Sequence, residues 1–171
     1  QFEAEGPILI AGSTWEVEEK IIKKFLESNT KTKVIIAPHN INSNNIERIR
    51  SLLDCPSVRY TKYKEYQGNR VLILDTIGHL TSAYQYADYA LIGGGFSGNL
   101  HNILEPAVYG ISVFFGPRHQ KFPEAQSFID GGIGFVVENA EQLSKKINTL
   151  GNQDELKQKI EAFMQSQAGA T

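Results

Sequence analysis

Cysteine is almost missing from this sequence. A single residue, Cys55, in 171 positions allows no internal disulfide and no cysteine-built zinc cluster, and that scarcity fits a reducing compartment. Long apolar runs are missing too: none approaches the ~18 residues of a membrane-spanning helix, and no signal-peptide pattern is visible. Neither sign of charge dominates. Lys and Arg total 17, Asp and Glu 19, for a net charge of -2. Residues 1–85 hold 11 basic and 10 acidic side chains and the remainder 6 and 9, so no part carries the basic excess of a phosphate-backbone binder, and nucleic acid is not an expected partner. The G-x-G-x-x-G dinucleotide fingerprint is absent after the first strand, as is a Walker loop, which makes a dehydrogenase a remote third reading. At 41% hydrophobic and 21% charged residues, the composition is that of an ordinary globular protein, and the length fits one domain. Gln1 and the tail QSQAGAT suggest a piece of a longer protein.

What is present is alternation. Short β-branched runs at 8–11, 33–37, 71–74, 89–92, 112–115 and 134–137 read as strands, with a weaker one at 57–63. Amphipathic stretches at 15–28, 43–53, 79–86, 103–109, 122–130, 140–149 and 153–165 read as helices. In the first of these, Val17, Ile21, Ile22, Phe25 and Leu26 form the expected buried face. Near-continuous apolar strands separated by helices predict a three-layer, doubly wound parallel sheet of Rossmann-like α/β class. The whole of 1–171 is then one ligand-binding domain.

Ligands of such sheets bind outside the carboxyl ends of the strands. Three strand ends carry suitable loops. At 11–15 (AGSTW), Gly12 permits a tight turn, while Ser13 and Thr14 set hydroxyls beside a helix start. Ser13 with Glu16 also matches a capping box, so capping and anion binding are both open. At 75–80 (DTIGHL), Gly78 opens a turn whose backbone can meet a flat base, and Asp75 reads equally as a turn residue. At 93–107 (GGGFSGNLHNILEPA), three glycines, Gly93, Gly94 and Gly95, allow close backbone approach. Asn102 and Glu105 then lie three apart, on one face if the turn is already helical, where an amide and a carboxylate suit a sugar or ribose diol. Helix-dipole complementation is the other reading of Glu105, and a solvated loop position the other reading of His101. His39, after Pro38, ends the second strand on the same edge. Arg118, His119 and Lys121, after Gly116 and Pro117, add positive charge near the place expected for a phosphate, and a solvated surface cluster is the other reading.

The run ADYALIGGGFSGNLHNILEPAVYGISVFFGP at 87–117 resembles the donor-binding motif of the 3-deoxy-D-manno-octulosonic acid (Kdo) transferases of lipopolysaccharide synthesis. AGSTWEVEE at 11–19, IIAPH at 35–39 and DTIGHLTSAYQYAD at 75–88 agree with that family in order and spacing, and the glycine loop is similar to Bacteroidetes-type members. The resemblance covers roughly residues 6–165. It implies the carboxyl-terminal half of a GT-B glycosyltransferase, with the amino-terminal acceptor half outside this chain.

The donor implied is CMP-Kdo and the acceptor a lipid A precursor. Glu105 would hold the CMP ribose, and Asn102 and the start of its helix would lie near phosphate and Kdo. Ser13 and Thr14 would line the cleft, the Ile77 and Gly78 backbone would meet cytosine, and His39, His101, Gly94 and Gly95 complete the expected donor set. Two positions depart from the family: Ala37 replaces the arginine of a P-R-H motif, and His79 replaces an acid. The implied enzyme is an inverting transferase that needs no metal or cofactor. Its general base is a carboxylate of the other half, so this domain alone would be inactive and soluble. Membrane association, at the cytoplasmic face of the inner membrane, is expected of the full-length protein only. A UDP-sugar transferase or epimerase domain, or a non-catalytic nucleotide-binding module, is the alternative.

Overall fold

Five of the strands are buried along nearly their whole length, which is what continuous apolar runs require of a sheet covered on both faces. In the computed structural model, which describes residue 2 and residues 6–169, the strands are β1 (Ile8–Thr14), β2 (Lys33–Pro38), β3 (Ser57–Arg59), β4 (Val71–Ile73), β5 (Tyr89–Ile92), β6 (Ser112–Phe115) and β7 (Gly134–Val136). They form one parallel sheet in the order β3-β4-β2-β1-β5-β6-β7. The helices are α1 (Glu16–Ser28), α2 (Ser43–Leu52), α3 (Leu80–Ala83), α4 (Leu104–Val108), α5 (Pro123–Asp130), α6 (Ala140–Thr149) and α7 (Gln153–Gly169). Ile22, Ile49 and Leu143 bring α1, α2 and α6 onto one face, while Ala107, Phe128 and Ile160 bring α4, α5 and α7 onto the other. This is the three-layer, doubly wound arrangement that the alternation predicts.

Three local expectations change. The weak strand expected over 57–63 stops at Arg59, because the Thr61 backbone N–H and hydroxyl both donate to Asp75 and pull the chain into a 3-10 turn over 60–65. The helix expected over 79–86 is one α-turn followed by a second 3-10 turn at 84–86. In α1, Val17 is 46% exposed, whereas Glu18 and Glu19 are buried with Ile21, Ile22, Phe25 and Leu26. The helical period puts Glu18 four residues before Ile22, so the buried stripe runs through the glutamates.

The chain winds from β1 outward to β2 and β4, then returns to the opposite side of β1 as β5. The switch point therefore lies between the carboxyl ends of β1 and β5, where Gly12 pairs with Ile92 and the Gly93 N–H donates to the Gly12 carbonyl at 2.8 Å.

Candidate functional site at the switch point

The β1 loop is shaped by a break in register. A bulge lies between Gly12 and Thr14, and Ser13 has a φ of 53°, in the left-handed region that few non-glycine residues adopt. The side chain of Thr14 is buried, and its hydroxyl donates to Glu19 at 3.0 Å, so of the two hydroxyls only that of Ser13 is half-exposed. The expected Ser13–Glu16 capping box is not formed. Trp15 is the N-cap of α1, and Glu18 accepts its backbone N–H at 2.9 Å. With Glu16, Glu18 and Glu19 in the first turn, the protein's own carboxylates already meet the positive end of α1, which rules against that helix start as an anion cradle.

The glycine loop fits against this bulge backbone to backbone. A Cβ on Gly93 would lie 2.8 Å from the Ser13 carbonyl carbon, and one on Gly95 would lie 2.6 Å from the Gly116 nitrogen. Gly94 has a φ of 93° and donates its N–H to Glu18 at 3.0 Å. Glu18 thus bridges two loops, accepting Trp15 with one oxygen and Gly94 with the other. Burial is the main effect on it and pushes its carboxyl above the ordinary value, against the lowering effect of those N–H groups. Glu19, also buried, takes Thr14 and the Arg48 guanidinium. The sequence reading missed both glutamates. Their position on the helical stripe of Ile22 and Phe25 was the available signal.

His101 and His39 meet here. The His39 ring lies 4.1 Å from the exposed Trp15 ring and 4.9 Å from His101, so three strand ends contribute to one row of rings. Asn102 lies ahead of α4, and its side chain accepts the Leu104 N–H at 2.8 Å, so it does not share a helical face with Glu105. Glu105 is half-buried in the first turn, with a carboxylate oxygen 3.2 Å from the Thr81 hydroxyl that donates to it. Beside it, burial and then the charge of Glu105 raise the Tyr84 hydroxyl far above its ordinary pKa.

In the β4 loop, Ile77 is 87% exposed and Gly78 has a φ of 88° with open space around it. His79 replaces the expected acid and pairs its Nδ1 with the Thr76 hydroxyl at 2.7 Å. A cavity of about 550 Å³ lies beside it, walled by Tyr60, Tyr86 and His79 over Ile35 and Leu72. Asp75 is a buried clamp. It accepts Arg59 at 2.9 Å and the Thr61 N–H at 3.0 Å, fixing the ends of β3 and β4 together. Burial opposes its ionisation, but the Thr61 and Arg59 hydrogen bonds outweigh that and hold its carboxyl below 3.8. The stability it contributes is therefore present above 3.8 and is lost as the pH falls through the lowered folded value. Asp75→Asn is expected to cost ~2 kcal/mol at neutral pH and to remove this acid-side loss, as urea unfolding at several pH values will measure.

Arg118 and Lys121 are exposed as expected, but His119 is buried, because its ring packs edge-on against Phe115 at 5.5 Å. Arg118 donates its backbone N–H to Gly95 at 2.7 Å and carries its guanidinium over Gly98, with no ion pair among the described residues. Among the described residues, no group of three or more His, Cys, Asp and Glu side chains converges as a metal site, and no helix is long and apolar enough to cross a membrane.

Known proteins share this architecture and sequence. No protein-family model matches the chain. It is 30% identical over 155 residues to the 3-deoxy-D-manno-octulosonic acid transferase of Aquifex aeolicus, covering 85% of this chain and 42% of that protein. A bifunctional glycosyltransferase/methyltransferase of Fusobacterium nucleatum is 29% identical over 167 residues, covering 92% of this chain and 26% of that one. The chain therefore spans between a quarter and under half of the length of these relatives. Among solved structures, the C-terminal CMP-Kdo binding domain of WaaA from Acinetobacter baumannii superposes with a TM-score of 0.80 at 23% identity, covering 93% of this chain and 89% of that domain. The C-terminal domain of a glycosyl transferase group 1 family protein from Francisella tularensis gives 0.58 at 15% identity, covering 95% of this chain and 86% of that one. The fold is that of the carboxyl-terminal, Rossmann-like domain of GT-B glycosyltransferases.

Proposed function

We propose that this chain is the donor-binding domain of a glycosyltransferase that moves Kdo from CMP-Kdo to a lipid A precursor. The observation that carries this reading is the meeting of the β1 bulge, the glycine loop and Glu105 at one switch point, in a chain related to Kdo transferases over most of its length. Glu105 grips the ribose diol. Among the described residues its carboxylate has one side-chain hydrogen-bond donor, the single hydroxyl of Thr81, and so retains capacity to accept from two sugar hydroxyls. Ser13, Gly94, Gly95 and Asn102 border the phosphate and sugar, and the exposed Ile77–Gly78 turn meets the base.

Transfer breaks the bond between the Kdo anomeric carbon and the CMP phosphate. A departing phosphate needs positive charge and N–H donors aimed at it. Where the family carries an arginine and this chain has Ala37, Arg118, whose guanidinium lies over Gly98 of the glycine loop, is assigned to that task. The base that activates the acceptor hydroxyl and the acceptor site itself are assigned to the part of the protein outside this chain. The work of the full protein then belongs at the cytoplasmic face of the inner membrane.

Thermal unfolding with CMP, UDP, NAD and no ligand tests this. A ligand at 100 times its Kd adds about 2.7 kcal/mol, which for a chain of this length is an increase in Tm of roughly 5–10 °C. CMP is expected to give that rise and NAD none. A rise with UDP and none with CMP would overturn the Kdo reading. Glu105→Ala is expected to abolish the CMP response while leaving the unliganded Tm within about 2 °C, since Glu105 is a half-buried side chain with one protein partner.

A further inference from the structure

The ring row across the switch point contains the chain's only tryptophan and two of its four histidines. Trp15 follows β1, His39 follows β2 and His101 follows β5, and these strands are neighbours in the sheet. The Trp15 and His39 rings are 4.1 Å apart at 25°, and the His39 and His101 rings 4.9 Å apart at 44°. Backbone bonds hold both residues in place: the His39 backbone N–H donates to the Thr14 carbonyl and the His101 backbone N–H to the Gly93 carbonyl, each at 3.0 Å.

No carboxylate pairs with either imidazole among the described residues. The acids on the surrounding elements have other partners. On α1, Glu18 holds Trp15 and Gly94, and Glu19 holds Thr14 and Arg48 of α2. Glu105 of α4 holds Thr81, and Asp75 of the β4 loop holds Arg59 and Thr61. Arg118 adds positive charge from the β6 loop. Two imidazoles this close resist double protonation, and burial, then the charge of His39, pushes His101 below the ordinary imidazole range. An oxyanion set against both rings removes the resistance, so proton and anion bind together.

We propose that His39 and His101 form a proton-coupled oxyanion site, at which an acidic nucleotide-sugar is held through its phosphate or its sugar carboxylate with uptake of a proton. The inference rests on the donor-binding reading above and adds a chemistry that favours an acid sugar over a neutral one.

Trp15 is a built-in reporter, because an imidazolium stacked on indole quenches its fluorescence. The full chain is titrated with acid alone, with sodium sulfate (a fully ionised oxyanion throughout), with sodium chloride at matched ionic strength, and with CMP. The quenching midpoint is expected to rise by about one pH unit in saturating sulfate or CMP and not in chloride, each unit being up to tenfold in affinity. Calorimetry in buffers of different ionisation enthalpy is expected to show proton uptake on CMP binding. Affinity is expected to be several-fold weaker at about pH 8.5 than at about pH 7, a range in which the phosphate is already a dianion. His39→Gln and His101→Asn each remove the midpoint shift. The phosphate of CMP-Kdo is a diester with one charge fewer than that of CMP, so a larger shift with CMP-Kdo than with CMP assigns the carboxylate to the site, and a smaller shift assigns the phosphate. CMP binding with an unmoved midpoint and pH-independent affinity overturns the proton-coupled site and leaves the donor reading standing. A sulfate-shifted midpoint in a chain that never binds CMP supports the site and sinks the donor reading, and no response to either anion overturns both.

Discussion

Gly93→Ala is expected to destabilise the fold by about 3 kcal/mol or more, lowering the Tm by roughly 10 °C in a chain of this length. The added methyl carbon would run into the Ser13 carbonyl and lie 2.8 Å from its carbon, closer than real Cβ contacts allow, with the Thr14 Cα a further tight contact at 3.1 Å. Neither neighbour can retreat, because the Gly93 N–H is bonded to Gly12 and the Thr14 carbonyl accepts His39. The strain would therefore pass into the pairing of β1 with β5 at the centre of the sheet. Gly78→Ala is the control. Its φ of 88° is unfavourable for alanine, but nothing lies within 4 Å of the new atom, so the expected cost is only about 1 kcal/mol. Thermal and urea unfolding of the two variants will compare them, and equal losses would show that the close approach at Gly93 is relieved at little cost.

The second large effect is expected at Glu18. Glu18→Ala leaves the buried Gly94 N–H and the partly buried Trp15 N–H without their acceptor, at about 1–3 kcal/mol each with the larger cost at Gly94. The loss is expected to total about 3 kcal/mol and to loosen the glycine loop, so CMP binding should weaken together with stability. Glu18→Gln is not a neutral replacement, because an amide offers one oxygen to two donors and turns its NH2 toward the other. The pH dependence has a definite sign. Burial raises the folded-state pKa of Glu18 above 4.5, so the native state holds the proton more tightly than the unfolded chain does. Its term is fully present below 4.5 and is lost as the pH rises through the raised value. Removing Glu18 should therefore cost more in mild acid than at neutral pH, the reverse of the expectation for Asp75→Asn. Denaturation midpoints at the two pH values will decide this, and a uniform loss would exclude burial as the dominant influence on Glu18.

The layer plan was legible because the strands are short and buried on both faces, so β1, β2, β4, β5 and β6 read directly as apolar runs. The glycine loop was legible for a related reason: three successive glycines after a strand have no use in a sheet and a clear one in close backbone approach. Length was misjudged where a distant partner intervened. The strand at 57 is short because Asp75, 16 positions beyond Arg59 and 14 beyond Thr61, bonds both of them. The reading of His119 failed for the same kind of reason, since the polar run from 118 to 121 gave no sign that one ring would pack on Phe115. The condition for Asn102 and Glu105 to share a face is not met, because the Asn102 side chain accepts the Leu104 N–H and the helix begins only at Leu104, a competition that sequence spacing does not reveal.

By itself, the sequence determined the alternating order of strands and helices, the parallel sheet, the near-neutral charge and the glycine loop with its acid at Glu105. These follow from local periodicity and from the conformational range of single residues, which act over a turn or two of chain. The tertiary structure decided which loops meet. It inserted β4 between β3 and β2, set β5 beside β1, and so brought Gly94 to Glu18 across 76 positions of sequence and His101 to His39 across the switch point. Whether a carboxylate is a solvated charge or a buried bridge depends on which donors the fold delivers to it. Those donors belong to distant strands, and only sheet order selects them.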